Sequence, residues 1–401
     1  MRAQSRWRVV ITAAPILLGI CVLLIYAPTM MSDFVEYWAA GALLLAGQNP
    51  YDPALMLAVE RSAGYAGDRA LLMLNPPPVL TLVMPFALLP YRQAAVLWFV
   101  LNAAALLWSC SILWKLAGGS RQATWIVYVC SVVFVPTLFA LLLGQISILL
   151  LLSIALFLRF ERDGRMIAAG AATTLLLVKP HVVYLVGVAL VAWWLRHRDW
   201  RVILGVALGG IGMFIPLVFN PAVYSQFAEL TRNESLTHFS TSTLGTLLRL
   251  AARDPSRFGL QFVPMVLGFA YLATRFRRNR STEWDWEREM PLLVVVSLAT
   301  AAYGWVFDQV VLLVAAISMF AVATRSGGVR LVAMVGFWVV TGAITFTQAF
   351  RGVNSLWYFW LPFAYLLAAV FASPTFRHTG SCLLYTSPIP RDLRQDLVCR
   401  L

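Results

Sequence analysis

Long apolar runs separated by short basic clusters constrain this chain more than any other feature. The first runs from Val9 to about Ala27, behind Arg2, Arg6 and Arg8. Others follow at about 94–114, 122–141, 145–158, 166–178, 181–195, 202–219, 261–274, 290–303, 308–324, 331–349 and 356–372, about twelve in all. In lipid every backbone polar group must be satisfied internally, which a helix does within one segment. Of the residues, 60% are hydrophobic and only 12% charged, with mean hydropathy +0.77, against about a quarter charged in soluble proteins. The expected fold is an all-α polytopic membrane protein with about twelve transmembrane helices.

The basic residues test that topology. Lys115 and Arg121, then Arg159, Arg162 and Arg165, then Arg196, Arg198 and Arg201, then Arg275, Arg277, Arg278 and Arg280, then Arg325 and Arg330 all fall on the side of the N-terminus. The positive-inside rule makes that side cytoplasmic. The alternation requires 77–89, about 13 residues between prolines, to be re-entrant or interfacial rather than spanning. It also requires 166–178 and 181–195 to be two short helices meeting at Lys179-Pro180-His181. Their junction then lies within the outer leaflet, where non-helical backbone needs protein or a wet cavity around it. A cavity is expected there.

The same distribution sets aside other classes. A net charge of +13 suggests nucleic acid, but the charge is topogenic rather than gathered on one face, and no nucleic-acid partner is expected. Cys21, Cys110, Cys130, Cys382 and Cys399 show neither a disulfide framework nor zinc-ligand spacing. The first run is expected to be retained as a helix, because Tyr26-Ala27-Pro28 is a poor cleavage site. Residues 1–372 read as one transmembrane domain. Residues 373–401 read as an unstructured tail resembling translated adaptor read-through.

Two large outer loops remain, at 28–93 and 220–260. The second carries Ser235, Thr237, His238, Ser240, Thr241, Ser242 and Thr243, and a formal glycosylation sequon at Asn233. The first contains the densest polar stretch: Asp33-Phe34-Val35-Glu36-Tyr37-Trp38, Gly47-Gln48-Asn49-Pro50-Tyr51-Asp52 and Asn75-Pro76-Pro77-Pro78. Asp33 with Glu36 is also the spacing of a capping box, so Asp33 reads either as a functional carboxylate or as a helix cap. Lys179 stands between Leu175-Leu176-Leu177-Val178 and Pro180, where a cation costs about 2.5–3.5 kcal/mol on insertion scales. It needs an anion, either a carboxylate such as Asp308 or a substrate headgroup. His181 lies two residues on. Gln145 and Asp308 lie at the outer ends of spans and could each be a helix cap.

Together these landmarks resemble the family-87 glycosyltransferases of the GT-C superfamily. The pattern appears as Asp33-Phe34-Val35-Glu36-Tyr37-Trp38-Ala39-Ala40-Gly41, Gly47-Gln48-Asn49-Pro50-Tyr51-Asp52, Asn75-Pro76-Pro77, Gly144-Gln145, Lys179-Pro180 and Tyr303 to Asp308. The chain departs from it at His181, where Gln is common, at Tyr303-Gly304-Trp305, where Ser-Pro is frequent, and at Thr241-Ser242-Thr243-Leu244, where Asn-x-Ser-Leu is usual.

The resemblance implies an inverting transferase using a polyprenyl-phosphate sugar, mannose first and arabinose second. The acceptor would be a glycan or glycolipid of the cell envelope. Asp33 would be the base, and Lys179 the cation for the leaving phosphate with His181 assisting. Glu36, Tyr37, Asn49, Tyr51, Asp52, Gln145 and Asp308 would bind substrate. Trp38, Trp305, Trp357 and Tyr358 would line the donor path or form an interfacial belt. No cofactor is required; a divalent metal on Asp33, Glu36 and Asp52 is compatible with the sequence but not implied. The expected location is the inner or plasma membrane, N-terminus cytoplasmic and active site extracytoplasmic. The alternative class is a lipid-linked sugar transporter or flippase, although no matched pair of broken helices marks two repeated halves.

Overall fold

Every expected apolar segment beyond the first folds as helix, though seldom as one uninterrupted helix. The structure, a computed structural model, describes residues 31–233, 239–254, 257–279 and 284–376, together with 14, 18 and 19. All regular structure among the described residues is helical. The first expected span, residues 234–238 of the second loop with the rest of the sequon, and 377–401 of the tail lie outside the described residues.

The chain begins with α1 (Ser32–Leu45), α2 (Pro53–Ser62) and α3 (Pro78–Val83), the last continuing as a 3-10 turn over Met84–Leu88. Next come α4 (Tyr91–Leu116), the bent pair α5 (Thr124–Val133) and α6 (Val135–Leu142), α7 (Ile148–Arg162) and α8 (Met166–Thr173). After a 3-10 turn over Thr174–Val178 come α9 (Tyr184–His197), α10 (Trp200–Ile211), α11 (Pro216–Phe219), α12 (Val223–Asn233), α13 (Leu244–Ala251) and α14 (Val263–Arg278). The last group is α15 (Trp286–Thr300), a 3-10 turn over Val306–Leu312 leading into α16 (Leu313–Ser326), α17 (Gly328–Phe350) and α18 (Trp360–Phe376). Helix thus continues to Phe376, past the expected boundary at 372.

The expected all-helical membrane character is supported, while the count of twelve spans is not established. Among the described residues four helical stretches are long and apolar enough to cross a membrane: Tyr91–Leu116, Trp200–Phe219, Val306–Ser326 and Gly328–Phe350. A fifth is added if Arg121–Val133 and Val135–Leu142, bent by 65°, count as one span. The backbone is non-helical around Gly144, at Lys179-Pro180 and around Tyr303, at the ends of the expected apolar segments. At Lys179-Pro180 two short helices do meet, as the charge alternation requires. Val306–Ser326 lies at the centre of the bundle, 89% of its apolar window buried, whereas Trp200–Phe219 and Gly328–Phe350 are peripheral at 17%.

Small residues allow the closest helix approach. A Cβ built on Gly205 of α10 would lie 2.0 Å from the Ile167 carbonyl oxygen of α8. One on Gly170 of α8 would lie 2.1 Å from the Val202 carbonyl oxygen of α10. Lipid tails are as apolar as the side chains they contact, so such backbone-to-backbone packing is a main source of association between membrane helices. At the far end of the bundle Arg275 of α14 pairs with Glu289 of α15, which is buried and also accepts from Asn279 at 3.2 Å.

This packing predicts that Gly205→Ala lowers the thermal stability of detergent-purified protein by about 1–3 kcal/mol, as overpacking does. Gly210→Ala, on the same helix with nothing within 4 Å of its Cβ, is expected to hold or raise it. Equal melting temperatures for the two variants would contradict the reading.

Candidate active site

Three unwound segments converge, and their side chains form one hydrogen-bonded network. Leu143 to Ser147 separates α6 from α7, Lys179 to Val183 precedes α9, and Ala301 to Trp305 follows α15. Lys179 is the hub, 5% exposed. Its ammonium donates to Asp308 Oδ1 at 2.8 Å, Gln145 Oε1 at 2.7 Å and Ser147 Oγ at 3.2 Å. Those three bonds use all three ammonium hydrogens. Nζ also lies 4.5 Å from the centroid of the Phe307 ring, on which Trp305 stacks.

Asp308 is fully buried and shared three ways. Its Oδ1 also accepts from Ser147 Oγ at 2.5 Å, and its Oδ2 accepts from the Trp305 backbone N–H at 2.9 Å. It is therefore the counter-ion, and although the N-cap is Trp305 rather than Asp308, its carboxylate holds the N-cap N–H from the first turn.

Gln145 joins this pair to Asp33. Its Oε1 accepts from Lys179 and, at 3.1 Å, from Tyr37 Oη, so its Nε2 faces outward and donates to Asp33 Oδ2. The other Asp33 oxygen accepts from Ser32 Oγ at 2.9 Å. Gln145 is thus a bridge and not a helix cap.

The capping-box reading of Asp33 is overturned. The N-cap of α1 is Met31, no side chain caps it, and Asp33 is inside the first turn. The open N–H groups of Asp33 and Phe34 donate to the Leu143 carbonyl at 3.1 and 3.2 Å. Gly144 makes this contact possible: its φ is +75°, and a Cβ there would sit 2.6 Å from both Met31 Cε and Phe34 Cβ. Trp98 locks the turn by donating to the Gly144 carbonyl at 2.7 Å while stacking on Phe34 at 5.3 Å.

The expected site residues divide into groups. Asp33, Tyr37, Gln145, Lys179 and Asp308 form the network. Glu36 lies one turn from Asp33, partly buried and without a side-chain hydrogen bond among the described residues. His181 sits on the same unwound segment as Lys179 but outside the network.

Asn49, Tyr51 and Asp52 shape the first loop instead. Asn49 accepts from the Tyr51 N–H at 3.0 Å, and Asp52 caps α2 by accepting from Ala54 and Leu55. Tyr51 donates to the Asn75 carbonyl at 3.2 Å, and Asn75 donates to the Val178 carbonyl at 3.2 Å. That chain ties the loop to the residue before Lys179. Trp38 donates to the Leu89 carbonyl, Trp357 is 52% exposed and Tyr358 is buried, so only Trp305 of the four expected tryptophan and tyrosine residues stands beside the network.

Ser147 and Asn75 are the contributors that the sequence reading did not name as site residues. Ser147 had a signal, a hydroxyl two residues from Gln145 inside an apolar run. Asn75 had one too, in the Asn-Pro-Pro triplet. At the junction where a wet cavity is expected, Lys179, Gln145, Ser147 and Asp308 are buried. A cavity elsewhere in the bundle, lined by Trp114, Ile126, Val127, Phe320 and Trp338, is apolar. No group of three or more metal-ligating side chains exists among the described residues.

Burial raises the Asp33 carboxyl above its ordinary range, with the Gln145 and Ser32 hydrogen bonds and the Lys179 charge opposing. Glu36 is raised well above its range, by burial first and then by the neighbouring Asp33 charge.

A family model described as Glycosyltransferase family 87 matches residues 73–298, more than half of the chain. No curated protein and no solved structure matches it.

Removing one member of a buried ion pair leaves an uncompensated charge, a loss of about 3–5 kcal/mol. Lys179→Met is therefore expected to lower thermal stability by that order, and Lys179→Met with Asp308→Leu to recover most of it. A double variant as unstable as the single one would show that the pair does not carry the effect.

Proposed function

The chain belongs to glycosyltransferase family 87, and from that membership we propose an integral-membrane transferase that moves a sugar from a polyprenyl-phosphate donor to a glycan or glycolipid. The sugar is mannose in the first instance and arabinose in the second. Transfer takes place on the extracytoplasmic side. One observation supports the assignment of roles best: a partly buried carboxylate and a buried ammonium are joined through a single amide, Asp33 to Gln145 to Lys179.

In this reading the acceptor hydroxyl oxygen forms a bond to the anomeric carbon from the face opposite the phosphate. The bond from that carbon to the phosphate oxygen breaks, its electron pair leaves with the polyprenyl phosphate, and the configuration inverts. Asp33 takes the hydroxyl proton as attack proceeds. Both its oxygens accept one hydrogen bond, and each retains a lone pair for that proton.

The leaving phosphate goes from one negative charge towards two, so a cation that interacts more strongly as charge develops favours the transition state. Lys179 supplies it by exchanging one existing partner. The 3.2 Å bond to Ser147 is its longest, and a hydroxyl reorients readily. Asp308 stays paired with the lysine throughout. Glu36, Tyr37, Gln145 and His181 remain the proposed contacts to substrate, and the first loop, 28–93, shaped by Asn49, Tyr51 and Asp52, the proposed carrier of the base.

Washed membranes incubated with labelled polyprenyl-phosphate mannose or arabinose are expected to yield labelled glycan and free polyprenyl phosphate. A flippase would move label without releasing the free phosphate, and that result would refute transfer. Asp33→Asn is expected to cut the rate by about a hundredfold or more.

The pH profile follows with its sign. The active form of Asp33 is ionised, so kcat/KM should fall as pH drops through a value above the roughly 3.9 of a free aspartate. An acid limb at or below that value would contradict the burial of this carboxyl.

A further inference from the structure

The two unwound segments that meet at the Lys179–Asp308 ion pair meet a second time. His181 is two residues beyond Lys179, and Tyr303 is five residues before Asp308. Their rings stand edge to face, 6.3 Å apart between centroids at 87°. The first meeting is fully satisfied. At the second, His181 Nε2 and Tyr303 Oη are both buried with no hydrogen-bond partner among the described residues. Buried polar atoms are nearly always paired, and an unpaired one is a free-energy cost to the empty protein that a ligand can remove.

We propose that His181 and Tyr303 form a subsite for hydroxyl groups of the transferred sugar, an assignment that rests on the transfer reading above. The chemistry of the two side chains selects the ligand class. Imidazole and phenol can each both donate and accept a hydrogen bond. A phosphate oxygen only accepts and is served by the lysine on the same segment. A sugar hydroxyl donates and accepts, so one hydroxyl, or two on neighbouring carbons, completes both partners.

The walls suit a sugar as well. Phe258 and Phe262 pack on the Tyr303 ring at 6.0 and 6.4 Å, presenting apolar surface for the C–H face of a pyranose or furanose. Phe262 is 43% exposed, so a substrate reaches the pair by turning phenyl rings rather than by moving backbone. On the other side Gly304 is held by the Ser242 N–H at 2.8 Å, which fixes the backbone next to Tyr303. The phosphate end and the hydroxyl end of a sugar phosphate would then lie along the same two segments, with Lys179 at one and the ring pair at the other.

Tyr303→Phe deletes one oxygen and little else, and it has two readouts. Without donor, detergent-purified Tyr303→Phe should melt at or above the wild-type temperature, because the hydroxyl has no partner to lose. A clear drop would mean that the hydroxyl is structural, and it would overturn the proposal.

The second readout uses polyprenyl-phosphate mannose or arabinose, whichever the wild type transfers, beside its monodeoxy analogues. Wild type should reject at least one analogue by about tenfold to a hundredfold in kcat/KM. Tyr303→Phe should lose activity on the parent donor by a similar factor and no longer distinguish it from that analogue. His181→Phe should flatten discrimination at the same hydroxyl or its neighbour. Wild-type transfer with discrimination unchanged in both variants removes the subsite alone, whereas absence of transfer by wild type removes the reading beneath it.

Discussion

A lysine ammonium buried among leucine and valine has to be neutralised, and much of the architecture follows from how this chain does so. Lys179 meets Asp308 at 2.8 Å with neither side chain more than 6% exposed. Burying two charges is costly, and mutual attraction offsets that cost only when the remaining donors and acceptors are satisfied. Here Gln145, Ser147 and the Trp305 N–H complete the set. Three stretches of non-helical backbone are thereby held together at a depth where such backbone survives only against protein. Their own carbonyls are covered in the same way: Gly144 by Trp98, Val178 by Asn75, Val182 by Ser297 and Gly304 by Ser242.

Asp33 is held at this centre by backbone rather than by a cap. The open N-terminus of α1 donates into the Leu143 carbonyl, so the helix and the turn before α7 share hydrogen bonds across more than a hundred residues of sequence. Phe34, Phe86 and Trp98 then pack within 5.0 to 6.1 Å of one another. Gly41 lets the 3-10 turn approach α1 so closely that a Cβ there would sit 2.9 Å from Met84 Cα. The aspartate is thereby fixed in place, and the freedom left to it is the protonation of its own oxygens.

Much of this was legible in the sequence, for definable reasons. Apolar runs located the helices because burial in lipid or in a bundle leaves the same signature, and Lys179 was conspicuous because a cation in such a run demands an anion. That anion could be named as Asp308 among alternatives, since sequence spacing contains no cross-helix distance. The number of continuous spans was not legible for the same reason: a broken helix and a spanning helix are equally apolar. Asp33 and Glu36 imitated a capping box because the motif is defined by spacing, while the real acceptor, the Leu143 carbonyl, lies in another part of the chain. Asn49, Tyr51 and Asp52 were singled out as polar, yet their side chains satisfy local backbone, the commonest use of such residues in a loop. Tyr303 was noticed only as a departure from a pattern; its unpartnered hydroxyl is visible only in three dimensions.

The family match spans 73–298 and so includes Gln145, Lys179 and His181 but neither Asp33 nor Asp308. The fold supplies those two from the flanks: Asp33 accepts from Gln145, Asp308 accepts from Lys179, and the bond from Lys179 to Gln145 joins them. The orientation of Gln145 follows from its neighbours: an ammonium and a phenol both donate to Oε1, so Nε2 must turn towards the carboxylate. Gln145 therefore links the lysine to the Asp33 carboxyl. On the transfer reading, a donor phosphate that draws Lys179 aside loosens the grip on Oε1, and the amide donates less firmly to Asp33. A carboxylate that loses a donor becomes a stronger base. The base would gain strength when the donor is seated, and the link between the two events is one neutral side chain rather than a second charge.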